Sequence, residues 1–389
     1  MSLPNRLDRF LALRAIASVM IVVAHCLPPR ETIVVAGNYD LSWLIFAPGG
    51  LYLRVFFALS GYLIGKVFYT GKYQLTPASI WQFWRNRMVR VFPLYYFAVL
   101  ILVVFVYTDL LKIENWGYLL RICTFTYNHG LPIDFDRALW AVSTEVQFYA
   151  IAPFVYGLCR GLVKPSQVLG VIGVVLVGTI FYRGLVWSSD LRLDNITYWY
   201  TPLLPNLDVF LVGFLLNPLI KASAHLPQTW LNRCSPVVLL VLLHFTTTLH
   251  VYYQELRNVT NQDVGVRSPI TFMVMPALSV VIISFLIYQS ERGEAYEQPP
   301  NQKLCLAACL QNPLRLLEPL GVISYGIFVW HMPILRQVRG VIISPLPLEN
   351  FLTRLGVVLF WSIAIATVTY YLVEKPARAW RASHNPKTP

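Results

Sequence analysis

Arg14 and His25 are the first residues along this chain whose types and spacing suggest chemistry. They stand eleven positions apart in an apolar stretch. On a helix that spacing returns them to nearly one face, roughly 20° past three turns and about 16 Å apart along the axis. An imidazole can take up and return a proton near neutral pH, so His25 is a candidate general base, with Arg14 a fixed cation on the same groove. An interfacial His beside Cys26, with an Arg reaching toward lipid headgroups, is the structural alternative. A second cluster follows at Trp84-Arg85-Asn86-Arg87-Met88-Val89-Arg90. Guanidinium groups hold phosphates through paired hydrogen bonds, so Arg85, Arg87 and Arg90 suit a cytosolic anion such as a nucleotide or coenzyme A; anchoring at a cytoplasmic membrane face explains the same residues. Glu145 lies roughly 9 Å inside the start of its own apolar run. A carboxylate there needs a partner, and His25 or Arg54 is the expected one, Glu145 then orienting and charge-stabilising the His25 imidazole. A plain ion pair between helices is the alternative. Arg54, Asp208 and His331 fall in the same half of the molecule and are candidate acceptor contacts.

These groups stand out because of the elements that must carry them. Of 389 residues 56% are hydrophobic and 13% charged, about half the charged share of a soluble domain, and the mean hydropathy is +0.56. Apolar runs long enough to cross a hydrocarbon core recur at about 10–27, 49–69, 89–108, 139–158, 168–187, 203–220, 235–253, 270–288, 320–338 and 353–373. The expected fold is all-α, a polytopic membrane bundle of about ten helices forming a single domain over 1–389, with a short cytoplasmic tail at 374–389. Ionisable side chains within such spans are costly unless buried against partners, which makes each a functional candidate.

Eighteen of the 31 Lys and Arg fall in the segments on the side of the N-terminus and eleven on the other. Both termini are therefore expected in the cytoplasm. The net charge of +12 reads as cytoplasmic loops, not as a nucleic-acid surface. Six scattered cysteines form no CxxC pair, so neither a disulfide framework nor a metal site is expected. The basic start with its apolar run imitates a signal peptide, but Arg14 interrupts it and no small-residue cleavage site follows, so it is read as the first span. The stretch 304–317 reads as an amphipathic segment on the bilayer surface. The Ser60-Gly61 step reads as close helix packing more than as a nucleophile. Asn195-Ile196-Thr197 and Asn258-Val259-Thr260 match the glycosylation triplet and carry little weight.

Taken in order, several motifs resemble the acyltransferase-3 family of integral membrane acyltransferases. They are Arg14 with His25, Phe57-Ala58-Leu59-Ser60-Gly61, Arg87-Met88-Val89-Arg90, Leu139-Trp140 with Glu145 and Phe148-Tyr149, Ser324-Tyr325 with His331 and Pro333, and Glu374 with Pro376. The resemblance covers nearly the whole chain. It implies transfer of an acyl group, commonly acetyl, from cytosolic acyl-coenzyme A to a hydroxyl of a carbohydrate or other acceptor, in a bacterial inner membrane. It implies that Arg14 and His25 are essential, that Arg87 and Arg90 meet the coenzyme, and that acyl-coenzyme A is a donor substrate, with no tightly bound cofactor. Some members append an extracytoplasmic esterase-like domain. Because this chain ends at Pro389, soon after the tenth run, it is expected to act alone or to hand over to a separate protein. The rival reading from the residues is a transporter or flippase of a polar lipid or glycan, whose buried charges would line a pathway without chemistry.

Overall fold

A computed structural model describes residues 7–27, 33–126, 135–136, 138–194, 196–224, 235–252, 268–292, 306–340 and 346–384. Both glycosylation triplets, in part or whole, and Cys234 and Cys305 lie outside them. The described chain is almost wholly helical. Its helices are α1 (Arg9–Cys26), α2 (Gly49–Tyr69), α3 (Pro77–Phe105), α4 (Trp116–Cys123), α5 (Trp140–Cys159), α6 (Pro165–Ser188) and α7 (Leu207–Ala222), then α8 (Pro236–His250), α9 (Met275–Arg292), α10 (Leu306–Gln311), α11 (Leu317–Val322), α12 (Ser324–Arg339), α13 (Pro347–Thr369) and α14 (Lys375–His384). A two-residue antiparallel pairing of Val35–Ala36 with Tyr39–Asp40 is the only sheet among the described residues.

Each of the ten apolar runs has a helix in the same order. Seven described stretches are long and apolar enough to cross a membrane, and α8, at 15 residues, is shorter. The chain is a multi-pass integral membrane protein. Boundaries differ where capping chemistry outruns hydropathy. The third run is expected from residue 89, but α3 starts at Pro77, because the Thr76 hydroxyl accepts from the Ser79 N–H and Pro77 fills the first position, where a missing N–H costs nothing. Arg85, Arg87 and Arg90 thus lie well inside a helix, not at its mouth. Pro165, Pro236 and Pro347 likewise fill the first position of α6, α8 and α13. The expected surface segment at 304–317 is broken in two, α10 and a 3₁₀ turn Pro313–Leu316, and its Arg315 is buried in an ion pair with Glu318 at 3.0 Å.

The tightest packing joins α2 to α7. A Cβ added at Gly61 or Gly65 would strike the carbonyls of Phe210 or Phe214, and one at Gly213 that of Ala58. These glycines let two backbones meet, as the Ser60-Gly61 step suggests. Phe57 and Phe148 stack on Phe210 at 4.5 and 4.6 Å between centroids, tying α2, α5 and α7 into one core. Ion pairs and hydrogen bonds fix which ends lie together. The Asp8 N–H donates to Glu318 Oε1, and Lys66 meets Glu291 at 3.0 Å. At the other end of α1, Arg339 of α12 and Arg354 of α13 donate to the His25 and Cys26 carbonyls.

Candidate active site

Six helices and the π-helical turn Tyr370–Glu374 between α13 and α14 enclose a cavity of about 830 Å³, counted to its open mouth. Its cations are Arg14 from α1, Arg87 and Arg90 from α3 and Arg378 from α14; its carboxylates are Glu145 from α5 and Glu374. Arg87 and Arg90 are three apart on α3 and Glu374 and Arg378 four apart, spacings that put each pair on one face. On α2 the lining runs from Leu53 to Leu63, ten residues or about 15 Å of axis. That length is about half the thickness of a hydrocarbon core.

Arg378 is neutralised, its Nη2 lying 2.8 Å from Glu374 Oε2. Among the described residues no carboxylate lies within ion-pair distance of Arg14, Arg87 or Arg90. Arg14 donates from Nε to Ser324 Oγ at 3.2 Å and lies over the Phe56 ring at 5.8 Å. Arg87 is 5.6 Å from the Phe83 ring and 5.8 Å from that of Tyr149. Aromatic faces hold these guanidiniums without consuming their charge. Glu145 Oε1 accepts from the Ser60 hydroxyl at 2.5 Å and from the Tyr149 hydroxyl at 2.6 Å. With four cations against two carboxylates, the wall favours a polyanion, and its Phe56, Phe57, Leu59 and Leu63 offer an apolar path beyond it.

The pairing expected of Glu145 is corrected here. Its hydrogen bonds go to Ser60 and Tyr149, not to His25 or Arg54, because α5 turns it toward α2 and the arginines. His25 sits at the end of α1 beside α12: His331 Nε2 is 3.2 Å from His25 Nδ1, with ring centroids 5.1 Å apart. Asp208 is also corrected as an open contact. It is fully buried and paired with Arg183 at 2.8 Å, and that arginine, counted among the outer charges, is itself inside α6. Arg85, two positions from Arg87 and so on another face of α3, and Arg54, half-buried in α2, lie outside the cavity lining.

The structure thus brings Arg14, Arg87, Arg90 and Glu145 together and places His25 with His331 next door. Phe328 connects the two groups. Its ring lines the cavity, and its carbonyl accepts from His331 Nδ1 at 2.7 Å. Glu374 and Arg378 are cavity residues to which the sequence alone assigns no role. Their i,i+4 spacing is the available signal, hidden by their position past the last apolar run.

The family model for the Acyl_transf_3 acyltransferase domain matches residues 7–371. The chain is 25% identical over 369 residues to the peptidoglycan O-acetyltransferase OatA of Listeria monocytogenes, covering 89% of this chain and 53% of that protein. It is 21% identical over 396 residues to the O-acetyltransferase OatA of Staphylococcus aureus strain NCTC 8325, covering 96% and 58%. It spans little more than half the length of these relatives. No solved structure matches. With the motifs in order and the family model covering almost all of the helical bundle, the chain belongs to the acyltransferase-3 family of integral membrane acyltransferases.

Proposed function

We propose that this protein transfers an acyl group, acetyl in the relatives' names, from cytosolic acyl-coenzyme A to a hydroxyl of a carbohydrate at the opposite face of a bacterial plasma membrane. The observation that carries the reading is the set of three arginines, Arg14, Arg87 and Arg90, that converge on one cavity with no carboxylate partner among the described residues. Three cations in one cavity that no described carboxylate meets at ion-pair distance suit an anion, and coenzyme A combines a polyanionic head with a long apolar-tolerant arm. The phosphates bind the arginine wall while the arm follows the apolar α2 face toward His25.

His25 acts as base on the acceptor hydroxyl. The oxygen attacks the thioester carbonyl, its proton passes to the imidazole, the C–S bond breaks, and the imidazolium returns the proton to the departing thiolate. A placed base of this kind contributes about 10² to 10⁴ in rate. Glu145 acts elsewhere. Held by Ser60 and Tyr149, it sets the charge beside Arg14 and Arg87. With both termini cytoplasmic, the arginine wall faces the donor side and His25 the acceptor side.

The test is a purified preparation given acetyl-coenzyme A and carbohydrate acceptor. Acceptor-dependent release of free coenzyme supports transfer, whereas an intact thioester with movement of the glycan across vesicles would support a transporter.

A further inference from the structure

His331 is wholly buried on α12 and carries out none of the steps above. Its hydrogen bonds nevertheless fix the protonation pattern of the ring that does. A carbonyl oxygen only accepts, so the 2.7 Å contact to the Phe328 carbonyl makes His331 Nδ1 the protonated nitrogen. In a neutral ring the lone pair then sits on Nε2, the atom 3.2 Å from His25 Nδ1. His25 Nδ1 also lies 2.9 Å from the Ile21 carbonyl, again an acceptor only, so it too carries the hydrogen. One N–H of His25 is thus shared between a carbonyl of its own helix and the lone pair of His331. The remaining nitrogen of His25, Nε2, bears the lone pair.

We propose that His331 is a positioning residue that holds His25 in the Nδ1–H tautomer and stabilises its imidazolium, so that His25 Nε2 is the atom that takes the acceptor's proton. This inference rests on the reading of His25 as base. In serine hydrolases a carboxylate performs the same service for an imidazole; here a neutral ring performs it, without placing a fixed negative charge in the bilayer. When Nε2 takes the hydroxyl proton, the positive charge spreads to Nδ1–H. The bond to His331 Nε2 is then charge-assisted and strengthens as the transition state forms. The imidazolium proton leaves from Nε2 to the thiolate sulfur, and His331 finishes as it began.

Three further features keep the pair in register. His25 lies in the last turn of α1, where the helix dipole favours a cation. Arg339, two turns beyond His331 on α12, donates to the His25 carbonyl at 3.0 Å and so ties α12 to the end of α1. The Phe328 ring packs on His331 with centroids 5.7 Å apart, fixing the imidazole plane.

Two amide substitutions separate this role from a packing role. His331→Gln places an acceptor near the position of Nε2, whereas His331→Asn keeps a donor for the Phe328 carbonyl and leaves the Nε2 position empty. Acetyl transfer is measured in purified, monodisperse protein at saturating and limiting acetyl-coenzyme A. H331N is expected to lower kcat about 100-fold with KM for the donor unchanged, and H331Q to retain at least tenfold more kcat than H331N. Equal kcat for the two, or a loss expressed in KM, overturns the positioning role. H25A is run alongside: parental transfer by H25A overturns the base reading itself, while loss in H25A with equal H331N and H331Q overturns only the part given to His331.

Discussion

The Phe328 carbonyl accepts a hydrogen bond from His331 Nδ1 at 2.7 Å while the Phe328 ring forms part of the arginine cavity. One turn of α12 therefore belongs to both halves of the site. The sequence distance of more than 300 residues between Arg14 and Phe328 conceals that both line one cavity.

His25→Ala is expected to abolish transfer while leaving membrane insertion and detergent-solubilised folding intact. A half-buried ring at the end of α1 adds little to spanning energy, but its loss removes the proton acceptor. Turnover by correctly inserted H25A near the parental rate would remove His25 from the chemistry.

Arg87→Ala and Arg90→Ala should each raise KM for acetyl-coenzyme A by about tenfold or more with a smaller change in kcat, since a hydrogen bond to a charged group is worth about 1.5 to 3 kcal/mol and is made already in the ground state. Lys112→Ala, on an exposed pair with Asp109, serves as the control. Initial rates over a range of donor concentrations decide it. An unchanged donor dependence would return the arginines to membrane anchoring.

Much of the fold is legible in hydropathy. All ten runs are helical, and the Arg14, Arg87 and Arg90 spacings place each side chain on a useful face. What periodicity cannot supply is the neighbour across the gap. Glu145 and His25 both fall in the outer parts of their runs, which suggests a pairing, yet α5 delivers Glu145 to α2 and α12 delivers His331 to His25. Arg183 misleads for a related reason: a charge near the end of a run counts as a loop charge until its partner Asp208 is known to be buried with it. Glu374 enters only as part of a family motif, with no place in the site, and Arg378 escapes notice, because the apolar signal stops before the helix does.

Gly65→Ala should lower the melting temperature of the detergent-solubilised protein. Its new methyl would meet the Asn217 amide and the Phe214 carbonyl, forcing α2 from α7 at a cost of about 1 to 3 kcal/mol. Gly173→Ala in α6, where nothing lies within 4 Å, should be neutral or mildly stabilising through helix propensity. Equal shifts for the two would contradict the close-packing role.

Asp136, in the segment before α5, is pushed up to about 7 by burial, partly offset by the Ala138 N–H that donates to it. Its ordinary value is near 3.9. The folded state holds the proton more tightly than the unfolded chain, so the contribution to stability is full below about pH 4 and is lost as pH rises through about 7. Asp136→Asn keeps the Oδ1 acceptor and removes the charge. Melting temperatures at pH 5 and pH 8 should differ less in D136N than in the parent, and identical differences would show that the group does not titrate in that window.

Sidedness is tested by single cysteines at Lys72 and Lys112, two exposed positions, in a background lacking the native cysteines. A membrane-impermeant thiol reagent applied to intact cells should label Lys112→Cys and spare Lys72→Cys. The reverse pattern inverts the orientation and, with it, the direction from donor to acceptor.

Acyl transfer from coenzyme A through the arginine cavity to an acceptor activated by His25 is read most directly by following radiolabel. Acetyl-coenzyme A labelled in its acetyl group is supplied with a peptidoglycan or other glycan acceptor to purified parent, R87A and H25A proteins in liposomes. Label is expected in the glycan, with release of free coenzyme, for the parent; R87A should need a higher donor concentration, and H25A should leave the glycan unlabelled. Intact acetyl-coenzyme A with unlabelled glycan in the parent, under conditions where the protein is folded, would contradict transfer through this site.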